Sequence, residues 1–231
     1  MKNTSADCKV YYYIHNPVSK IGGGFSKNPG EKLSLKEQKD ISGKILDYAF
    51  PDFFGEEFFR DKVMREEQGK PIYALEGRFF NISHCNYGIA AALSKVPVGV
   101  DIEGSRRVKA LTVKKCMDDE EKAYIGPIEG EWLKEEQMRR FFHLWTLKES
   151  YVKMTGQGIR MPLNQVCFSL GDGLAPAGTE DKGILYGKSR VLKPWGRESL
   201  SCILPVSGFS LAVTLGCDKD WKPEILLDKV F

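Results

Sequence analysis

The chain reads VGVDIE at residues 98–103, and this stretch decides both the fold prediction and the position of the candidate site. Its valines and isoleucine favour a β-strand, because branched side chains fit the pleated surface of a sheet. Successive side chains of a strand point to opposite faces, so Asp101 and Glu103 share one face and the branched residues share the other. The sequence therefore predicts a strand with one apolar face and two neighbouring carboxylates.

The two carboxylates are typical of a magnesium site. Like charges at this spacing repel each other, and a divalent cation bound between them removes the repulsion. Oxygen ligands favour Mg²⁺, which takes few protein ligands and completes its shell with water and substrate phosphate. The same pattern also fits a solvated strand face with two unrelated acids, and the hexapeptide alone leaves both interpretations open.

A long helical pattern follows at residues 133–155. Apolar residues recur every three or four positions, which predicts one buried face, and Glu149 lies on the same stripe. A carboxylate in that place costs free energy unless it is paired or binds a metal.

Two interpretations of Glu149 remain open. Lys153 lies one helical turn further on and could form an ion pair with Glu149. Alternatively, Glu149 completes a metal site with Asp101 and Glu103, while Lys148 and Lys153 contact phosphate.

Two shorter motifs precede the VGVDIE strand. The sequence FNISH at residues 80–84 ends a predicted strand, where Ser83 and His84 could donate hydrogen bonds to phosphate; a lone histidine also fits a purely structural role. The sequence GKP at residues 69–71 places Lys70 on a rigid turn. Each signal is weak by itself.

Composition and the absence of other motifs exclude several classes of protein. The chain has 34 basic and 31 acidic side chains and a net charge of +3, which does not predict nucleic-acid binding. It has no apolar run long enough for a membrane span and no signal peptide. Six cysteines without a CxxC pair indicate free thiols in a reducing cytoplasm. P-loop, GxGxxG, GxSxG and HExxH motifs are missing.

The remaining patterns predict an alternation of helices and strands. Helices are predicted at 33–50 and 118–124, strands at 8–15, 78–83, 88–94, 96–102, 166–170, 200–204 and 209–214, and a glycine-rich loop at 18–30. Each half of the chain thus contains a helix followed by strands, and residues 87–93 resemble residues 208–214. This similarity hints at an internal duplication.

Taken in order, GKP, FNISH, VGVDIE and WTLKESYVK resemble the surfactin-type (Sfp-like) 4'-phosphopantetheinyl transferase family, which carries a (V/I)GxDxE strand and, further along, a WxxKExxxK helix. The resemblance implies an α+β fold, a pseudo-twofold monomer of two similar α/β subdomains. We expect the N-terminal subdomain at residues 1–97 and the C-terminal one at 98–231, with coenzyme A in the cleft between them.

The resemblance also implies the site residues. Asp101, Glu103 and Glu149 would hold Mg²⁺, and the groups that contact the coenzyme A phosphates would be Lys70, Ser83, His84, Lys148 and Lys153. The N-terminal third departs from the family pattern, and Lys39 is the residue that stands where an arginine normally meets the nucleotide.

The activity that the resemblance implies is transfer of 4'-phosphopantetheine from coenzyme A to a serine of an apo acyl or peptidyl carrier protein. Glu149 would accept the serine proton and Lys153 would stabilise developing charge. The basic turn of Arg106, Arg107 and Lys109 would meet an acidic carrier protein. Two alternatives stay open, a magnesium-dependent nucleotide pyrophosphate hydrolase and a non-catalytic module that binds coenzyme A or a carrier protein.

Overall fold

The computed structural model describes residues 6–15, 31–170, 184–191, 196–218, 221 and 223–231, so the predicted loop at 18–30 lies outside the described residues. The α-helices are α1 (Leu35–Phe54), α2 (Ala110–Cys116), α3 (Asp119–Ile125) and α4 (Glu135–Thr155). The strands are β1 (Cys8–Ile14), β2 (Val63–Arg65), β3 (Pro71–Tyr73), β4 (Phe79–His84), β5 (Gly88–Ser94), β6 (Val98–Gly104), β7 (Phe168–Leu170), β8 (Leu185–Ser189), β9 (Leu200–Leu204), β10 (Phe209–Leu215) and β11 (Ile225–Lys229). The expected mixture of helices and sheets is confirmed.

Two larger sheets and one short hairpin contain these strands. The first sheet has the order β11-β1-β5-β4 and the second has the order β6-β10-β9-β8-β7, while β2 pairs only with β3. Strand β11 runs parallel to β1, and the other paired strands are antiparallel. The last strand of the described chain therefore belongs to the same sheet as the first.

The alternating faces of the strands divide the core into layers. On β5, Ala90 and Ala92 contact the second sheet, whereas Ile89 and Leu93 contact α1 on the other face. On β10, neighbouring residues alternate in the same way between the first sheet and α4. The two sheets thus pack face to face, with α1 outside one and α4 outside the other.

Local sequence explains where the two long helices begin and end. Ser34 and Glu37 form a reciprocal capping box at the start of α1, and Gly55 ends that helix in the left-handed conformation. Helix α4 ends in the same way at Gly156, as the sequence predicts. Helix α1 continues past Pro51 to Phe54, because the buried Phe53 anchors its last turn in the core.

The predicted strands at 88–94 and 200–204 are confirmed to the residue, and the helix predicted at 118–124 is α3, which begins and ends one residue later. Helix α2 and strands β2, β3, β8 and β11 have no counterpart in the prediction, because each is short and mixes polar with apolar residues. No helix in the described ranges has both the length and the hydrophobicity to cross a membrane.

Glycine in the VGVDIE motif allows β6 to lie against α4. A Cβ atom at Gly99 would lie 2.0 Å from the Ser150 carbonyl oxygen and 2.4 Å from the Met154 amide nitrogen. Both atoms belong to the backbone, so neither can move aside without displacing the helix. This contact sets the distance between the carboxylates of β6 and the charged residues of α4.

We expect Gly99→Ala to lower the free energy of unfolding by about 3 kcal/mol, because the added methyl group forces β6 away from α4. Gly43→Ala is the matched control: it lies inside α1, where the added Cβ would meet only the Arg60 side chain, at 3.4 Å. Alanine there should be neutral or stabilising by about 0.5–1 kcal/mol. Urea unfolding of both variants measures the difference, and equal stabilities would contradict the close packing of β6 on α4.

Candidate active site

A hydrogen-bonded network joins β4, β6 and α4 at the centre of the site. The Lys153 ammonium lies 2.6 Å from Asp101 Oδ1 and 2.8 Å from Ser83 Oγ, to which it donates. The Ser83 hydroxyl in turn donates to Asp101 Oδ1 at 2.8 Å. Three residues from separate motifs of the sequence therefore meet in one place.

Strands β4 and β6 belong to different sheets and do not pair through their backbones. Side chains of β4 instead hold β6 in position. The Val100 amide donates to Asn81 Oδ1 at 2.9 Å, and the Ile102 amide donates to Ser83 Oγ at 3.3 Å. These bonds join the two sheets along one edge. Asn81 and Ser83 of the FNISH motif thus fix the strand that carries Asp101 and Glu103.

The three predicted metal ligands influence one another electrostatically. Burial and the nearby Asp101 carboxylate raise the pKa of Glu103 above its usual value. Burial and repulsion by Asp101 and Glu103 also raise the pKa of Glu149, and Lys153 opposes this shift. Asp101, Glu103 and Glu149 are therefore near enough to act on one another electrostatically, across the contact between β6 and α4 that Gly99 permits.

Asp101 Oδ2 is buried and has no hydrogen-bond partner among the described residues. A buried carboxylate oxygen without a partner is costly unless a cation binds it. The all-oxygen set of Asp101, Glu103 and Glu149 suits Mg²⁺. These residues therefore fit the magnesium ion that the sequence predicts.

A tighter acidic group occurs elsewhere in the described chain. Ligand atoms of Asp118, Glu121 and Cys167 all lie within 4.8 Å of one another. Asp118 and Glu121 form the capping box of α3, and Arg190 pairs with Asp118 at 2.7 Å. Burial raises the pKa of the Cys167 thiol to about 11, so the thiol keeps its proton. We assign this group a structural role, because its oxygen atoms already have protein partners.

Two pockets open beside the carboxylates. The first, called here the lysine pocket, has a volume of about 770 Å³, and Lys70, Lys115, Lys153 and Glu149 are among its lining residues. The second, called here the Phe142 pocket, has a volume of about 330 Å³ and is lined by Glu103, Ser105, Arg139, Phe142, His143, Val206, Gly208, Phe209 and Ser210. Glu149 therefore lines one pocket and Glu103 lines the other.

The lysine pocket has the charge that phosphate groups require. The Lys70 ammonium donates to the Met154 carbonyl at 2.9 Å near the end of α4. Burial lowers the pKa of Lys70, because the surrounding protein disfavours its charged form. An anion bound next to Lys70 would offset this penalty.

The interpretation that Lys148 contacts phosphate needs correction. Lys148 is fully buried, and its ammonium donates to Glu121 at 2.7 Å and to the carbonyls of Leu163 and Val166 at 2.9 and 2.7 Å. All three donors of the ammonium are therefore used within the protein. The apolar stripe is broader than the sequence indicates, and Lys148 lies in its middle while Glu149 lies at its border.

The structure also does not show the ion pair between Glu149 and Lys153, which was one of the two interpretations of Glu149. The ion pair that Lys153 makes within the described chain is with Asp101, across the gap between α4 and β6. His84 ends β4 with an exposed side chain, and Lys39 lies on the exposed face of α1. Neither lines the two pockets as described, so their contacts with coenzyme A stay predictions.

The sequence did not predict some residues of the site. Asn81 stands inside the FNISH motif, but nothing in the motif shows that its amide binds the β6 backbone. Lys115 belongs to α2, whose seven residues give no clear period. His143 lies two positions before Trp145 in the α4 motif, and only the structure shows that it lines a pocket.

The chain is similar to known proteins of one superfamily. Residues 97–199 match the sequence model of the 4'-phosphopantetheinyl transferase superfamily. A 4'-phosphopantetheinyl transferase of Bacillus subtilis is 37% identical over 112 residues, which is 46% of either chain. The 4'-phosphopantetheinyl transferase gsp of Aneurinibacillus migulanus is 36% identical over 104 residues, 43% of this chain and 40% of the relative.

A human relative shows that the likeness extends beyond bacteria. It is the L-aminoadipate-semialdehyde dehydrogenase-phosphopantetheinyl transferase, 30% identical over 123 residues, 47% of this chain and 39% of that protein. The chain thus matches between 39% and 46% of the length of these curated relatives. These findings confirm the family resemblance, and the chain is a relative of the Sfp-like 4'-phosphopantetheinyl transferases.

Proposed function

We propose that the protein transfers 4'-phosphopantetheine from coenzyme A to a serine of an apo acyl or peptidyl carrier protein, depends on Mg²⁺ and releases adenosine 3',5'-bisphosphate. The observation that carries this proposal is the meeting of Lys153, Ser83 and Asp101 beside Glu103 and Glu149, next to a pocket lined by lysines. The names of the relatives support the same activity.

The residues of the site divide the chemistry between them. Asp101, Glu103 and Glu149 would hold Mg²⁺, which supplies a positive charge that neutralises the pyrophosphate as it is attacked. Lys153, released from Asp101, stabilises negative charge on the phosphate oxygens, which is where most catalysis of phosphoryl transfer lies. Lys70 binds another part of the donor from the lysine pocket.

The transfer step forms one phosphorus–oxygen bond, breaks another and moves one proton. The serine oxygen forms a bond to the β-phosphorus of coenzyme A, and the bond from that phosphorus to the bridging oxygen breaks. Adenosine 3',5'-bisphosphate leaves with the electron pair, and the serine proton passes to the Glu149 carboxylate. Ser83 and Asn81 contribute by holding β6 in place.

Further parts of the proposal concern the whole protein. Each sheet packs against one long helix, which supports a pseudo-twofold monomer, although β11 from the C-terminal part completes the first sheet. All six cysteines are free thiols, which supports a reducing compartment such as the cytoplasm. We propose neither a nucleic-acid nor a membrane partner.

Intact-mass spectrometry of an apo acyl carrier protein tests the function. Incubation with this protein, coenzyme A and Mg²⁺ should add the mass of one phosphopantetheinyl group, and EDTA should prevent the gain. Cleavage of coenzyme A without an acceptor would favour the pyrophosphate hydrolase instead. Binding of coenzyme A without any turnover, tested with several carrier proteins, would favour the non-catalytic module.

The exposed basic turn after β6 is the candidate contact for an acidic carrier protein. The Arg107 guanidinium lies over the Trp132 ring at 4.1 Å, and Lys109 pairs with Glu131 at 2.9 Å. Arg106 lies 3.6 Å from Glu103, so its replacement would also disturb the carboxylates. Arg107 and Lys109 are therefore the better residues to test.

We expect Arg107→Glu with Lys109→Glu to raise the KM for the carrier protein about tenfold, equal to about 1.4 kcal/mol, because the acidic partner is repelled. The affinity for coenzyme A should stay unchanged. Lys32→Glu with Lys36→Glu, at exposed positions near the start of α1, is the matched control. The same KM in both double variants would show that the carrier protein docks elsewhere.

A further inference from the structure

Helix α4 packs on the face of the second sheet that carries the carboxylates of β6. Residues directly opposite each other on neighbouring strands point to the same face, so β6 and β10 share rows of side chains on it. Three such rows lie under the helix: Gly99 with Thr214, Asp101 with Ala212, and Glu103 with Ser210. Strand β10 thus presents a hydroxyl group in the first and third rows and only a methyl group in the row of Asp101.

The hydroxyl group in the row of Glu103 binds α4. Ser210 Oγ lies 2.8 Å from Thr146 Oγ1, and both side chains are buried. The Phe142 carbonyl lies 2.9 Å from Thr146 Oγ1 and 3.2 Å from Ser210 Oγ, so one hydroxyl donates to this carbonyl and the other donates to its partner hydroxyl. This hydroxyl bridge joins α4 to β10 at one point.

A second hydroxyl bridge lies one helical turn further along α4. Ser150 Oγ donates to the Leu147 carbonyl at 2.9 Å and therefore accepts the hydrogen of Thr214, whose Oγ1 lies at 2.8 Å. Ser201 of β9 extends the same chain of hydrogen bonds to Thr214 at 2.9 Å. The Ser150 carbonyl is also the atom that faces Gly99. The second bridge thus joins α4 to the row of Gly99.

The two hydroxyl bridges lie in the rows on either side of Asp101, and they hold α4 more strictly than apolar contacts would. Apolar side chains can slide past one another at little cost, whereas a hydrogen bond weakens steeply when its length or angle changes. Glu149 follows Thr146 by three residues and Lys153 follows Ser150 by three, so each charged residue is a neighbour of one bridge on the helix surface. The bridges therefore determine where these two residues stand along the sheet.

We propose that Thr146 and Ser150 are positioning residues, whose hydroxyl bridges to β10 hold α4 at the place along the sheet where Glu149 and Lys153 reach the carboxylates of β6. The inference rests on the proposed transferase function and adds to it the part of the core that aligns the site. Both hydroxyl groups are fully buried and act only through their neighbours on α4.

Removing both bridges while keeping the volume of the core nearly unchanged tests the proposal. In Thr146→Val with Ser150→Ala, α4 can move along β10, and a displacement of about 1 Å is enough to lower a rate strongly. We expect kcat for transfer to fall about 10–100-fold, while the KM for the carrier protein changes by less than about twofold. The dissociation constant of Mg²⁺, measured by calorimetry in the presence of coenzyme A, should rise about tenfold.

Two controls separate positioning from a general loss of stability. Ser94 of β5 is also fully buried, and its hydroxyl donates to the Asp7 carbonyl at 3.2 Å and accepts from the Val96 amide at 3.1 Å. Ser94→Ala should lower the unfolding midpoint and leave kcat unchanged. Thr146→Ser keeps the hydroxyl group and loses only a methyl group, so its kcat should stay within about threefold of wild type.

A double-mutant cycle attributes the effect to the bridge itself. Thr146→Val and Ser210→Ala each remove the first bridge, so the two changes together should lower kcat no further than one of them alone. Additive losses would mean that the two residues act separately and would contradict the proposal. The single variants Thr146→Val and Ser150→Ala each keep one bridge, and they should show a smaller loss of kcat in the same direction if the double variant does not fold.

The position of the helix can be measured without the reaction. A crystal structure of Thr146→Val with Ser150→Ala should show the Lys153 ammonium more than about 4 Å from Asp101 Oδ1, beyond the range of an ion pair, in place of 2.6 Å. An unchanged distance together with normal kcat and Mg²⁺ binding would overturn the proposal. Failure of the wild-type protein to load any carrier protein would instead refute the proposed function, and the crystal structure would still test the positioning role.

Discussion

Replacing Glu149 with glutamine should lower the rate of phosphopantetheine transfer by about 10²–10⁴-fold while leaving the fold intact. The amide has nearly the same shape as the carboxylate, so the packing of α4 is kept. It cannot accept the serine proton, and it is a poorer ligand for Mg²⁺. Both proposed roles of Glu149 are therefore removed together.

The expected loss is large because Glu149 stands at the border of the helix stripe, where burial and two neighbouring carboxylates act on it. Glu135→Gln, in the first turn of the same helix, is the matched control and should leave the rate unchanged. Single-turnover transfer to an apo carrier protein gives the rate, and thermal unfolding checks the fold. A rate within about threefold of wild type, with equal stability, would show that Glu149 is not the base.

Asp101→Asn separates the two roles of the acidic site. It removes one proposed metal ligand and the partner of Lys153 but leaves Glu149 in place. Mg²⁺ binding, measured by calorimetry in the presence of coenzyme A, should weaken in both variants. If only Glu149→Gln loses activity while Mg²⁺ binding stays normal in both, Glu149 acts as a base and the predicted ligand set is wrong.

Most of the central fold could be predicted because it depends on local patterns. The strands at 88–94 and 200–204 are short apolar runs bounded by turns, and α4 has a clear helical period that ends at Gly156. These features need no knowledge of distant contacts. They were sufficient to place Asp101 and Glu103 on one strand and Glu149 on one helix.

Elements whose stability comes from distant partners could not be predicted. Helix α2 is seven residues long and buries only Val113 among its own residues, so its period is too weak to detect. Strand β11 is ordered by parallel pairing with β1, more than two hundred residues earlier in the chain. No local pattern contains that pairing.

The sequence also failed to predict which residues of α4 face the core. The helical period places Glu149 on the apolar stripe, whereas the structure buries Lys148 and leaves Glu149 only partly buried. That arrangement depends on Glu121, which α3 presents as a fully buried carboxylate. The ion pair between Lys148 and Glu121 determines how α4 is rotated about its axis. The two residues are far apart in the sequence, so no local pattern predicts the pair.

Lys148 is therefore expected to control stability and not the binding of coenzyme A. Its ion pair with Glu121 is fully buried, and Glu121 also accepts hydrogen bonds from the amides of Asp118 and Phe168 at 2.9 Å each. Lys148→Met leaves that carboxylate buried without its cation. We expect the free energy of unfolding to fall by about 3–5 kcal/mol.

Two further variants define the origin of that loss. Lys122→Met removes an exposed lysine of α3 whose partner Asp119 is also exposed, and it should change stability by less than about 0.5 kcal/mol. Lys148→Met combined with Glu121→Gln removes both charges and keeps an oxygen for the Phe168 amide. It should be more stable than Lys148→Met alone, because no unpaired charge remains buried.

Binding of coenzyme A to the folded Lys148→Met variant, measured by calorimetry, distinguishes two positions for this lysine. It lies either in the buried ion pair with Glu121 or in contact with phosphate. The buried ion pair predicts an affinity close to wild type together with a large loss of stability, since the ammonium never reaches the lysine pocket. Contact with phosphate predicts the reverse, normal stability and weak binding. The second result would mean that α4 is rotated relative to the arrangement described, and Glu149 would then turn away from Asp101 and Glu103.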